Sequence, residues 1–104
     1  MRFSFQSKYC LEQEVYPEFL RYPNGNKALR LKALSGEPLV TVSVNPGEIV
    51  PDEFLAVKEW SENEGVTEGL KQANIINGQP VLSFPSGHVM IHCYRLTEEF
   101  RDEW

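Results

Sequence analysis

The chain has 104 residues, the size of one domain, and its 41 % hydrophobic and 12 % aromatic content is enough for a core without disulfide or metal staples. Ten Lys and Arg against fifteen Asp and Glu give a net charge of -5. That sign opposes nucleic-acid binding and attraction to anionic membranes, and it suits a protein partner with a basic surface.

Cys10 and Cys93 form no C-x-x-C pair, so a zinc site and a thioredoxin-like motif lack support. Met1 to Cys10 carries Arg2, Gln6 and Lys8 within too short an apolar stretch for a signal peptide. Pro38 to Gly47, the longest uncharged apolar-leaning stretch, is half the length of a spanning helix. The expectation is a reduced, cytoplasmic protein with no membrane segment.

Arg2 to Gln6 alternates, with Phe3 and Phe5 on one side, as a short edge strand does. Glu14 to Tyr22 reads as a strand, but Pro17 lacks an N–H and predicts an edge or bulged position. Pro23-Asn24-Gly25 makes a tight turn. Lys27 to Leu34 follows as a strand, with Leu29, Leu31 and Ala33 opposite Arg30 and Lys32. After the turn at Ser35-Gly36-Glu37, Leu39 to Asn45 is the clearest strand. Val40, Val42 and Val44 face the core there, and Thr41, Ser43 and Asn45 face out. These two strands form an antiparallel hairpin with one wet face. Pro46-Gly47 and Pro51 bracket a loop, and Glu53 to Glu59 returns as a strand with Leu55 and Val57 inward.

The period then changes. Ser61 and Glu64 have capping-box spacing, and Val66, Leu70 and Ala73 recur on one helical stripe that ends near Asn74. Gly65 and Gly69 each weaken that helix by about 1 kcal/mol relative to Ala. Ile75 to Phe84, interrupted by Asn77-Gly78, suggests a small hairpin or bulged connection, with a turn at Pro85-Ser86-Gly87. His88 to Leu96 is apolar on both faces and reads as a central strand. Thr97 to Trp104 reads as a short terminal helix or a frayed end. The fold class expected is α+β, a mostly antiparallel sheet of four to six strands with one main helix packed on one face, in one domain spanning residues 1–104.

No catalytic constellation stands out, and no cofactor is expected. His88 and His92 lie about 13 Å apart along a strand, too far to share a metal. Gly-rich phosphate loops are absent, and Arg30 with Lys32 is too small a footprint for nucleic acid. The conspicuous feature is acidic: Asp52, Glu53, Glu59, Glu62, Glu64 and Glu68 crowd one segment with Lys58 the only cation among them. A solvated face is the commonest meaning of such a run. The functional one is a docking surface around Trp60, made of Glu59, Trp60, Glu62, Asn63, Glu64 and Glu68.

Three stretches, Leu39 to Pro46 (LVTVSVNP), Asp52 to Gly65 (DEFLAVKEWSENEG) and Phe84 to Ile91 (FPSGHVMI), together resemble a family. It is a group of small uncharacterised proteins, a domain of unknown function, carried by bacterial plasmids, conjugative elements and phages. The likeness covers about residues 27–96, and Lys58 to Gly65 (KEWSENEG) is its most specific part. The resemblance implies an accessory role in a mobile element and carries over no catalytic residues. The expectation is therefore a non-enzymatic protein that binds another protein through its acidic surface. One alternative is a small-molecule domain or minor enzyme with a pocket between helix and sheet, using Ser61, Asn63 and His92. The other is a homodimer joined at a strand edge.

Overall fold

A computed structural model describes residues 1–104. In chain order its elements are β1 (Phe3–Ser7), β2 (Cys10–Arg21), β3 (Lys27–Ala33), β4 (Pro38–Thr41), β5 (Phe54–Val57), a 3₁₀ turn (Ser61–Asn63), α1 (Val66–Gln72), β6 (Ile76–Ser86), β7 (Val89–Leu96) and α2 (Glu98–Arg101). All strand pairs are antiparallel, in two sheets ordered β1-β2-β3-β4 and β5-β7-β6. No helix is long and apolar enough to cross a membrane.

This corrects the expected α+β class. Half of the chain is strand and 13 % is helix, and no main helix covers a sheet. The capping box does not form. Ser61 takes a positive φ of 58°, and the backbone turns again at Gly65, φ 86°, before α1 begins. Asn74, φ 61°, lies just beyond its end, so α1 is only seven residues long. It packs against β1 and the start of β6. The strand pattern fares better. Pro17 falls inside β2 rather than on an edge strand, but β1 pairs with β2 only as far as Val15, so Pro17 has no partner on that side to disappoint. Asn77-Gly78 becomes a bulge inside β6, not a break.

Segment 42–44 joins the sheets. Val42 donates its N–H to the Leu29 carbonyl (3.0 Å), and its own carbonyl accepts from Lys58 N (2.9 Å). Val44 N then donates to Ala56 O (3.1 Å). The clean strand expected from Leu39 to Asn45 therefore stops at Thr41, and Ser43, expected outside, is buried. Its hydroxyl accepts the Leu29 N–H at 2.9 Å and meets the Tyr22 hydroxyl at 3.0 Å.

The larger core lies between the sheets, around Phe5, Leu29, Leu31, Leu55, Leu70 and Phe100. Each fully buried side chain of this kind contributes about 1.5–3 kcal/mol. A smaller cluster of Val50, Ala56, Ile91 and Cys93 covers the other face of β7, the central strand, as its two apolar faces predict.

Gly69 is buried where α1 meets β1. A Cβ there would stand 2.3 Å from the Gln6 carbonyl oxygen and 2.7 Å from Phe5 Cε1. Helix propensity alone makes Gly69→Ala stabilising by about 1 kcal/mol, whereas overpacking costs about 1–3 kcal/mol where neighbours yield and more where backbone is in the way. Gly69→Ala is expected to lower stability by about 1–3 kcal/mol in denaturant unfolding. A gain would mean that α1 stands off β1.

Candidate functional site

The β1–β2 hairpin ends at Lys8-Tyr9, and its tip reaches across the molecule. Lys8 N donates to Glu64 O at 3.1 Å, and Lys8 Nζ meets Glu64 Oε2 at 3.1 Å. Gly65 makes the approach feasible, because a Cβ there would sit 2.9 Å from Lys8 N. Between this tip, β4 and the 3₁₀ turn lies a cleft of about 440 Å³. Ser7, Tyr9 and Cys10 line it from the hairpin, Leu39, Val40 and Thr41 from β4, and Lys58, Glu62 and Asn63 from the chain after β5. A shallow hollow bordered by Tyr9, Ser61, Glu62 and Glu64 adjoins it.

The acidic segment is not a bare anionic surface. Glu62 pairs with Lys58 and Glu64 with Lys8. The Lys58 hydrogen bond, first of all, holds the Glu62 carboxyl below its usual range, and the Glu64 hydrogen bond holds the Lys8 ammonium above its own. Glu59 is half-buried and accepts from the Tyr94 and Thr67 hydroxyls, both at 2.5 Å. Burial, then that bond, pushes the Tyr94 phenol up. Trp60 is half-buried against the smaller core cluster. Asn63 is buried, and its Nδ2 donates to Thr41 O at 2.8 Å. Glu68 is exposed on α1. Of the six residues singled out from sequence, Glu62 and Asn63 line the cleft, Glu64 borders its extension, and Glu59, Trp60 and Glu68 do not face it.

His92 does not join Ser61 and Asn63. It pairs across strands with Ser83, whose hydroxyl lies 2.8 Å from Nδ1, and neither residue lines the cleft. No group of three or more His, Cys, Asp or Glu side chains gathers at metal-binding distance. Arg30 and Lys32 both pair with Glu18. The hairpin residues Tyr9 and Cys10 and the β4 residues escaped sequence reading. Tyr9 and Cys10 reach Glu62 and Asn63 only through the contact of residue 8 with residue 64, and Thr41 only through the Asn63 amide, neither of which a local pattern announces.

No protein-family model, curated protein or solved structure matches this chain.

Both thiols are held protonated. Burial raises Cys10, and it pushes Cys93 up to about 11 from 9.0. Above pH 9 the unfolded chain therefore ionises Cys93 while the folded chain keeps the proton, so stability falls as pH rises from 9 to about 11. The expected contribution is about 2–3 kcal/mol. Denaturant unfolding across that window should fall less steeply for Cys93→Ala than for the native chain. Parallel curves would show that the thiol is not desolvated.

Proposed function

We propose that this chain is a non-enzymatic accessory protein that works by binding another protein, and that it takes an extended segment of that partner into the cleft beside β4. One observation carries this: β4 pairs only with β3, and its other side faces the cleft. Alongside 42–44 that side is filled by β5, but after Lys58 the chain turns away into the 3₁₀ turn. What is left beside β4 is the open cleft of about 440 Å³. Asn63 already places an amide N–H on Thr41 O, as a neighbouring strand does. Strand addition to such an edge draws affinity from main-chain hydrogen bonds and specificity from alternate side chains. The cleft volume lies within the range of roughly 300–1,000 Å³ common to ligand sites.

The other edges suit partners less well. β6 carries Pro80, Pro85 and a register shift between Asn77 and Leu82, devices that discourage strand pairing, and α1 packs against β1. The acidic residues enter as the rim of the cleft, through Glu62 and Glu64. The net charge of -5 favours a basic partner. The likeness of Lys58 to Gly65 to mobile-element proteins supports the accessory role.

Peptides selected from a displayed random library at low salt test this. Binding should shift the amide resonances of Leu39, Val40, Thr41 and Asn63. Tyr9→Ala and Leu39→Ser, both at exposed positions, should weaken it at least tenfold, or about 1.4 kcal/mol, without changing the unfolding midpoint. Selected peptides indifferent to both substitutions, or no peptides at all, would overturn the proposal.

A further inference from the structure

The rim of the cleft already holds a cation of the chain's own. Lys8 Nζ sits 3.1 Å from Glu64 Oε2 and 5.4 Å from the centroid of the Tyr9 ring. Tyr9 is 64 % exposed, and the Lys8 and Glu64 side chains are 54 % and 55 % exposed. An aromatic face with a carboxylate beside it is a seat for an ammonium or guanidinium group. Water screens an exposed ion pair, so its occupant exchanges readily.

A second observation points into the same space. The Thr41 carbonyl can only accept, so the Asn63 atom that donates to it is Nδ2, and Oδ1 makes no bond there. No donor of the chain reaches that oxygen, although Asn63 is only 2 % exposed. No fully enclosed polar side-chain atom lacks a partner, so Oδ1 keeps some exposure, and Asn63 lines the cleft. A strand laid beside β4 brings a backbone N–H to such an acceptor.

Resting on the strand-addition reading above, we infer that the partner segment carries a lysine or arginine that displaces Lys8 from the seat formed by Tyr9 and Glu64, while a backbone N–H of the same segment donates to Asn63 Oδ1. Lys8 acts as an internal placeholder. It keeps the seat satisfied in the free protein and lowers the affinity of any partner by competing with it.

The test uses the full chain and the selected peptides. Replacing the basic residue of a bound peptide by norleucine should weaken binding at least fivefold. Lys8→Met keeps the stem and empties the seat, and it should tighten binding severalfold. Lys71→Met removes the same charge from α1, and it should change affinity by less than twofold. Equal affinities for lysine and norleucine peptides, or equal effects of Lys8→Met and Lys71→Met, would overturn the seat while leaving the cleft in place. Failure of every peptide to bind would remove both.

Discussion

The architecture turns on the backbone of Val42. A residue in a regular antiparallel strand exchanges both of its hydrogen bonds with the same neighbour. Val42 instead gives its N–H to Leu29 in β3 and its carbonyl to Lys58, just past β5. The strand must twist there, and the ladder would leave the Leu29 N–H without an acceptor. Ser43 supplies one from its side chain at 2.9 Å. An unpaired buried amide costs about 1–3 kcal/mol, so a hydroxyl at this position decides whether the corner is affordable. The consequence reaches the surface. Because β5 joins the chain only after this twist, β4 stays open on one side, and the hairpin tip closes over that opening to make a cleft rather than a flat edge.

The run from Lys58 to Gly65 looks different once its contacts are known. Lys58 and Glu62 hold each other, Glu59 ties β5 to α1 and β7 through two hydroxyls, and Trp60 covers the smaller core cluster. Asn63 holds β4, Glu64 receives the hairpin tip, and Gly65 leaves room for it. Most of what made the segment conspicuous is internal work. Its charge is also local rather than collective, since Lys8 and Lys58 answer two of its carboxylates. What remains at the surface is exchangeable: pairs that water already weakens, arranged around a cleft.

Alternation and turn chemistry made β3, β7 and the turns after Arg21 and Ala33 legible in the sequence. Leu29 and Leu31 are fully buried, and both faces of β7 are covered. The helix was overread, because the spacing of Ser61 and Glu64 says nothing of Ser61 adopting a positive φ. Gly69 read as a weakness of α1, whereas its bare Cα lets the helix approach the Gln6 carbonyl. The cleft was half legible. Glu62 and Asn63 drew attention through composition, but Tyr9, Leu39 and Thr41 join them only through pairings between distant positions. Local periodicity carries the strand and not its neighbour.

The buried polar residues explain how so short a chain keeps two sheets closed without long helices. They are Asn26, Lys27, Ser43, Asn63 and Thr97, and each bonds to backbone where a strand ladder is missing. Asn26 accepts from Val50 N and donates to Glu48 O, fixing the loop before β5. Lys27 donates to Asp52 O and Arg101 O, both at 2.6 Å, and lies 4.8 Å from the Trp104 ring, which fastens α2. Burial pushes its ammonium down, and the two carbonyls and the ring are what make a charge tolerable there. Thr97 donates to Asn74 O beyond α1. Asn26, Lys27, Ser43 and Thr97 use their polar ends on backbone groups or hydroxyls elsewhere in the fold. Asn63 differs, because its amide nitrogen holds β4 at Thr41 O while its oxygen receives no hydrogen bond from the chain, at a residue that lines the cleft. A side chain whose fold-making bond uses one end leaves the other free: on the strand-addition proposal, the bond that holds the edge of β4 in place also offers an acceptor to the added strand.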